Sequence, residues 1–449
     1  KLAAAGITLD FASFLPAGAE IPDDQNVAAA EPYIRLRSDN SVPPPPLGFE
    51  DTLKQFAAAH PGRSASATPP DFGRDHPSAP PLSPDPPTAA RQVLDHLSVH
   101  DPLLAQIRAA CARPRIGFDL QWKSGSDVKT PQLAWIISTT KLLRLRCTAL
   151  ITLHRNAEAL ADLKLLLRQA EMVRIPNLIG LLVEQTIVSE TISHVWHGLA
   201  TGLWTDAQLR ELDSLYRGFN PARAVEVAIQ AEHAMMQDIL SFYAENRRKG
   251  NKEIASVLTW ATHNPRIVPE HWNEQRVKLT ANLIPTGWIR QNQAGYAANV
   301  LNTLRDLRAG TSMPGTFKPS RLPALPASSG GIYTVLLDSL SSPHAGVLNL
   351  QRGFAARLAL ARTAIALEQH RRATGALPAT LAELKSPPPP DPITGAPLYY
   401  QRLDDGKRFK LWSVALNGTD DGGIAKDYRS SSPDWVWLSW IEAPEPPAR

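Results

Sequence analysis

Apolar residues recur every three or four positions through the middle of the chain, between residues 91 and 310. This spacing predicts a series of amphipathic helices, because it places the apolar side chains on one helix face. The stripe through 142–167 is typical of one long helix, and Pro176 is expected in the first turn of the next. Thr205 and Asn220 are predicted N-caps of further helices. The middle of the chain is therefore predicted to be a helical bundle or a solenoid-like domain.

A second helical pattern lies near the C-terminus. Residues 351–374 carry one apolar stripe with charged positions elsewhere, and they predict a single helix. The short apolar and aromatic runs that follow predict a small antiparallel sheet. Alternation along a strand places Trp435 and Trp437 on one side and Val436 on the other, so we expect one side to pack on the helix.

Prolines interrupt both patterns. The chain has 40 prolines among 449 residues, well above the usual ~5%, and they cluster. Clustered prolines favour extended linkers, although a proline-rich ligand for another protein is an open alternative. Apolar residues among the first prolines indicate an arm that docks on a neighbour. The predicted organisation is an N-terminal docking arm (1–40), a proline-rich linker (41–90), an α-helical domain (91–310), a linker (311–346) and a small α+β module (347–449).

Composition narrows the class of protein. A hydrophobic fraction of 43% and a charged fraction of 20% are typical of a globular chain. The fold class is therefore predicted to be mainly α, with the small module at the end. The net charge is only +4 and no long run of like charges occurs, so nucleic acid is not a predicted partner.

The two cysteines, Cys111 and Cys147, are too few for a disulfide framework or a four-thiolate zinc site. One bridge between them and two buried free thiols are both open alternatives.

Membrane contact is predicted only through a segment upstream of this chain. The richest apolar stretch, 133–153, is interrupted by Lys141, Arg144 and Arg146, so it does not predict a transmembrane helix. The sequence starts at Lys1 rather than at a methionine, and we expect it to be a processed or truncated product.

The C-terminal motifs follow an order that resembles a known family. A G-x-x-P turn at Gly375 follows the helix, then comes D-P-x-x-G-x-P-x-x-Y from Asp391, and then an L-x-S strand from Leu411 that leads into an acidic loop. This order, over residues 351–440, resembles the C-terminal part of the major pseudopilin of type II secretion. The resemblance implies a helix packed on a small sheet. The helix here lacks the apolar membrane segment of a pseudopilin before Gln351.

The pseudopilin resemblance also implies calcium. In that family the terminal loop holds the ion with carboxylate and carbonyl oxygens, as a cation that takes six to eight oxygens requires. Asn417 matches an aspartate of the family pattern and Asp434 matches one of the closing acidic pair, while Asp420 and Asp421 lie in the loop between them. Pro433 stands where a second closing aspartate is usual. The alternative is that these side chains cap turns beside glycines.

The layout of the whole chain resembles membrane-anchored bacterial cell-envelope proteins of uncharacterised families. The segments that carry this resemblance are 9–24 and 203–236. It implies a periplasmic or cell-surface location and no particular activity.

Candidate catalytic groups are sparse. Glu190, His194 and His197 share one face of a predicted helix, but no matching second helix is evident, so they are predicted to pack rather than to bind a metal. No G-x-S-x-G elbow and no phosphate-binding glycine motif occurs. Trp412, Trp440 and the other C-terminal aromatic residues fit either a core or a glycan-binding surface.

Three functions follow as hypotheses. The first is a non-catalytic cell-envelope scaffold that acts through protein partners or self-assembly, and another is a calcium-stabilised structural subunit. The alternative is a secreted or periplasmic hydrolase or glycan-binding enzyme that uses a groove in the helical domain.

Overall fold

The structure is a computed structural model of the chain, and it describes residues 6, 11–14, 21–38, 42–45, 85–118, 120, 130–248, 250–252, 254–255, 283, 285–311, 335–424 and 433–439. Within these residues the fold is mainly α-helical, and a three-stranded antiparallel sheet lies near the C-terminus. The predicted fold class, mainly α with a small α+β module, is confirmed.

The regular elements follow one another in a simple order, helices first and strands last. The helices are α1 (Arg35–Ser38), α2 (Pro86–Leu97), α3 (Asp101–Cys111), α4 (Pro131–Thr152), α5 (Asn156–Met172), α6 (Leu178–Ala200), α7 (Asp206–Arg217), α8 (Pro221–Glu245), α9 (Thr286–Thr311) and α10 (Val335–Thr374). The strands are β1 (Tyr399–Leu403), β2 (Arg408–Val414) and β3 (Asp434–Leu438).

Side-chain caps begin several of the helices. The Thr205 hydroxyl and the Gln208 side chain form a capping box at α7, and Asn220 Oδ1 accepts the Arg223 N–H at 3.1 Å at α8, so both predicted N-caps are confirmed. The expectation for Pro176 is wrong. Asn177 Oδ1 accepts the Gly180 N–H at 2.8 Å and makes Asn177 the N-cap, which leaves the proline one residue before the cap and outside the helix.

The apolar stripe through 142–167 belongs to two helices rather than to one. The chain turns between Thr152 and Asn156, where His154 adopts a positive φ of 55°. Helices α4 and α5 pack on each other, and each needs an apolar side for this contact. The three-and-four spacing of apolar residues therefore continues across the turn. Helices α4, α5 and α6 each contact the other two, as helices do in a bundle.

Two predicted linker boundaries move. Pro86 and Pro87 begin α2 behind the N-cap Asp85, because proline fits the first turn of a helix. Helix α10 begins at Val335, so Pro343, which belongs to the predicted linker 311–346, lies inside a helix. The remaining positions of these linkers, 46–84 and 312–334, lie outside the described residues.

One hydrophobic core joins the helical domain and the C-terminal module. Leu142, Leu165, Leu360 and Trp435 all belong to the same cluster of buried side chains. Helix α10 connects the two parts, because it contacts α6, α7, α8 and α9 on one side and strands β2 and β3 on another. The predicted boundary at residue 347 therefore falls within a continuous helix and a continuous core.

The described part of the N-terminal arm packs on the chain's own helical domain. Val27, Tyr33 and Leu36 are buried in the main core. The Asn26 side chain donates to Gly117 O at 2.9 Å and accepts the Gly117 N–H at 3.0 Å. This pair of hydrogen bonds ties the arm to the segment after α3.

The sheet has the strand order β1-β2-β3, with both pairs antiparallel. Trp437 pairs with Leu411 and Trp435 pairs with Ser413, and both tryptophans enter the main core. Trp435 lies against Gly353 of α10. Val436 pairs with Trp412 on the other side, so the predicted packing of one side of this strand on the helix is confirmed. Trp440 lies outside the described residues.

Both cysteines are free thiols. Cys111 Sγ lies 3.8 Å from Met172 Sδ, and Cys147 Sγ lies 3.8 Å from the Ala159 carbonyl oxygen. Burial raises the pKa of Cys111 to about 12 and the pKa of Cys147 well above its ordinary value. A thiol with so high a pKa is a poor nucleophile at neutral pH.

We expect the folded protein to resist thiol alkylation. Iodoacetamide at pH 8 should label neither Cys111 nor Cys147 in the native protein, and it should label both in guanidinium without a reductant. Intact mass spectrometry measures the number of labels. Failure of the unfolded, unreduced protein to react would show a disulfide and contradict the structure.

Candidate functional site

The predicted site residues lie together at the end of the sheet. Strand β2 ends at Val414 and the chain then turns through the 417–424 loop. Asp434 is the first residue of β3, and its side chain faces back toward this loop. The structure thus brings Asn417, Asp420, Asp421 and Asp434 into one small region. Residues 425–432, which complete the connection, lie outside the described residues.

The buried carboxylate of Asp434 accepts backbone N–H groups from the loop. Its Oδ2 lies 3.1 Å from the nitrogen of Asp421, 2.9 Å from that of Gly423 and 3.3 Å from that of Ile424. Such a concave row of N–H groups is a nest for an anion. Burial, aided by the nearby Asp421 and Asp420 carboxylates, raises the pKa of Asp434, and the N–H donors oppose this shift.

The other three side chains also bond within the loop and the sheet. Asn417 Nδ2 donates to Asp421 Oδ2 at 2.7 Å, and its Oδ1 accepts the Thr419 N–H at 3.1 Å. Asp420 Oδ1 accepts from Trp412 Nε1 and from the Gly422 N–H, each at 2.9 Å. The bonds to the Thr419 and Gly422 N–H groups are turn-capping contacts of the kind that aspartate and asparagine make.

A lysine from β2 contacts the same loop. Lys410 Nζ donates to the Gly422 carbonyl at 2.8 Å and lies 5.0 Å from the centre of the Trp412 ring. Gly423 has a positive φ of 72°, and a Cβ at this position would lie 2.8 Å from Lys410 Cε. The positive φ favours glycine here, and the absence of a Cβ leaves room for the end of the lysine side chain. Sequence reasoning missed this lysine.

These groups do not form a calcium cage in the described arrangement. Calcium needs six to eight oxygens directed at one point, whereas the carboxylates here face N–H donors. Across the part of the chain that the structure describes, no group of three histidine, cysteine, aspartate or glutamate side chains is placed to hold a metal ion. Calcium binding stays a prediction from the resemblance.

Asp391, in the D-P-x-x-G-x-P motif, is a buried structural centre of the module. Its Oδ1 accepts the Ile393 N–H at 2.7 Å and its Oδ2 accepts the Val414 N–H of β2 at 3.1 Å. Its backbone carbonyl also accepts the Gly395 N–H at 2.8 Å. Burial raises the pKa of Asp391, and these donors oppose the shift. The motif thus closes a turn and anchors it to the sheet.

The predicted helix face with His194 is a packing surface. His194 Nδ1 lies 2.6 Å from the Glu190 carbonyl oxygen, and Nε2 lies 3.1 Å from the Arg144 carbonyl oxygen of α4. Burial lowers the pKa of His194. The Glu190 carboxylate pairs with Arg144 at 3.0 Å. The ring therefore joins α4 to α6.

Trp196 on the same helix donates through Nε1 to the Leu438 carbonyl at 2.7 Å. This hydrogen bond fixes β3 to α6. His263 and His271, which flank Pro265 and Pro269 in the sequence, lie outside the described residues.

A half-buried carboxyl outside this region offers a test by pH. Glu232 of α8 accepts the Leu178 N–H at 3.2 Å, at the N-terminus of α6. Burial raises the pKa of Glu232, and the Leu178 N–H opposes the shift. A carboxyl with a higher pKa in the folded chain than in the unfolded chain favours folding at low pH. It loses this contribution as the pH rises through the folded pKa.

We therefore expect Glu232→Gln to raise the melting temperature at pH 7, with a gain that shrinks as the pH falls toward the pKa of the unfolded carboxyl. Thermal unfolding of both proteins across pH 4 to 8 measures this difference. Glu245→Gln, at an exposed position of the same helix, is the matched control and should show no such trend. A Glu232→Gln gain that grows on acidification would contradict the assignment.

Within the described residues no helix is both long enough and apolar enough to cross a membrane. Comparison of the chain with protein-family models, with curated proteins and with solved structures gives no match.

Proposed function

We propose that the protein is a non-catalytic scaffold of the bacterial cell envelope that acts outside the cytoplasm through contacts with other proteins. The observation that carries the proposal is the attachment of the C-terminal module to the helical body through a hydrogen bond and a shared core. Trp196 of α6 bonds to Leu438 of β3, and Trp435 packs against Gly353 in a shared core. A module held in this way presents its outer surface at a constant orientation, as a scaffold requires.

The outer side of the module offers groups for a protein contact. Tyr399 on β1 is 37% exposed and stacks on Trp412, with ring centres 5.5 Å apart. Ile424 at the end of the loop is 56% exposed. Aromatic and apolar side chains of this kind are enriched in protein interfaces. The location rests on the resemblances to pseudopilins and to anchored envelope proteins.

Chemical crosslinking from these positions tests the proposal. A photoreactive amino acid would replace Tyr399 or Ile424 in the full-length gene product in its own cell, with Val99, a 73% exposed residue beyond the end of α2, as the matched control. We expect one defined adduct with an envelope protein or a second copy from the module positions and none from Val99. Protease treatment of spheroplasts should degrade the protein.

The contrary result is a protected, cytoplasmic protein with no adduct from either module position. Release of sugars or peptides from purified envelope by the purified protein would instead support the hydrolase alternative.

A further inference from the structure

The backbone of the 417–424 loop has a polarity opposite to that of a cation site. A loop that binds calcium directs carbonyl oxygens inward, toward the ion. Here the N–H groups of Asp421, Gly423 and Ile424 point inward at the Asp434 carboxylate. The main chain therefore supplies partial positive charge to Asp434, which is the role that a bound cation would have.

Lys410 supplies a full positive charge at the same loop. Its ammonium donates to the Gly422 carbonyl at 2.8 Å, and its stem passes over Trp412. Trp412 Nε1 in turn donates to Asp420 Oδ1 at 2.9 Å. The lysine and the indole thus connect β2 to both sides of the acidic turn.

Asn417 is an uncharged side chain among the carboxylates of this loop, at a position where the family pattern has an aspartate. Its amide Nδ2 donates to Asp421 Oδ2 at 2.7 Å. An aspartate at 417 would place two carboxylates at this distance, an arrangement that needs a proton or a cation between them. The amide makes the contact favourable without either.

We propose that the 417–424 loop closes on Asp434 without a divalent cation, and that Lys410, the Asn417 amide and the backbone N–H nest together take the place of the ion. A calcium ion that took the Gly422 carbonyl as a ligand would have to displace the lysine, and one that took Asp434 Oδ2 would have to turn N–H groups away from it. The departure of Asn417 from the pseudopilin pattern is then the feature that makes the loop independent of metal. Asn417→Asp should convert it into a loop that requires a cation.

Thermal unfolding and hydrogen–deuterium exchange of the full chain test this proposal, each in millimolar calcium chloride and in EGTA. The wild-type melting temperature and the protection of the loop amides should be the same in both buffers. Asn417→Asp should lower both in EGTA, and calcium should restore them. Lys410→Met, which keeps the stem and removes the charge, should lower both in either buffer. Lys407→Met, at an exposed neighbouring lysine, is the matched control and should change neither.

Three results would overturn the proposal. The first is a saturable rise of the wild-type melting temperature with calcium, which would support a calcium site instead. The second is an Asn417→Asp protein as stable as wild type in EGTA. The third is a Lys410→Met protein whose loop amides are as protected as those of Lys407→Met. None of these results bears on where the protein is located or which protein it binds, so the scaffold proposal is tested separately.

Discussion

Asp391→Ala should lower the free energy of unfolding by about 3–5 kcal/mol. The substitution leaves two buried N–H groups, those of Ile393 and Val414, without their acceptor. Each orphaned group costs about 1–3 kcal/mol, and the methyl group of alanine also leaves a small cavity. Urea denaturation followed by far-UV circular dichroism measures the change, with the slope of the transition compared between the two proteins.

Two further variants make the Asp391 result specific. Asp391→Asn keeps one acceptor oxygen but turns an NH₂ group toward an N–H donor, so we expect an intermediate loss. Thr394→Ala removes an exposed hydrogen bond of the same turn, from the Ala396 N–H at 3.2 Å, and should cost less than ~1 kcal/mol. If Asp391→Ala cost no more than Thr394→Ala, the carboxylate would not be the centre of the module.

Gly198→Ala should lower the free energy of unfolding by about 2–3 kcal/mol. Alanine is the better helix former by about 1 kcal/mol, so propensity alone predicts a gain. Packing decides the sign of the change in the free energy of unfolding. A Cβ at Gly198 would overlap the Trp204 indole, with the ring atom Cζ2 only 2.7 Å away. Trp204 is 1% exposed and donates through Nε1 to the Val195 carbonyl, so the ring has no free space to move into.

A double-mutant cycle with Trp204→Leu isolates the overlap between Gly198 and Trp204. In that background Gly198→Ala should cost little, since the smaller side chain leaves room for the methyl group. Gly287→Ala is the matched control, because a Cβ at this position of α9 has no atom within 4 Å, and a small gain is expected. An equal cost of Gly198→Ala with and without the indole would contradict the packing explanation.

Local patterns were sufficient to predict that the middle of the chain is helical and to identify two of the helix caps. Thr205 and Asn220 could be identified because a cap depends on residues three positions away. The same local view failed at His154, where a single left-handed residue ends one helix without changing the apolar spacing. It failed again at Pro343, which α10 includes because its packing on four other helices outweighs one unfavourable residue.

The sequence was sufficient to predict which residues meet at the candidate site. It did not predict whether the loop presents N–H groups or carbonyl groups to them. Motif order placed Asn417, Asp421 and Asp434 in one region, where the structure has them. Whether a loop presents N–H groups or carbonyls inward depends on its φ and ψ angles, which residue types do not determine. Alternation along β2 places Lys410 on the same side as Trp412, and this was the signal by which the lysine could have been found.

The docking of the N-terminal arm sets an order of events during synthesis. Tyr33 is synthesised before Gln169, whose Nε2 donates to its hydroxyl at 3.4 Å and which follows 136 residues later. Gly117, the partner of Asn26, follows 91 residues after that asparagine. Val27 and Leu36 of the arm therefore stay exposed to solvent while the helices that will bury them are still being translated. Burial of the arm thus depends on helices that are synthesised after it, and a chaperone that binds exposed apolar segments could occupy Val27 and Leu36 in the interval.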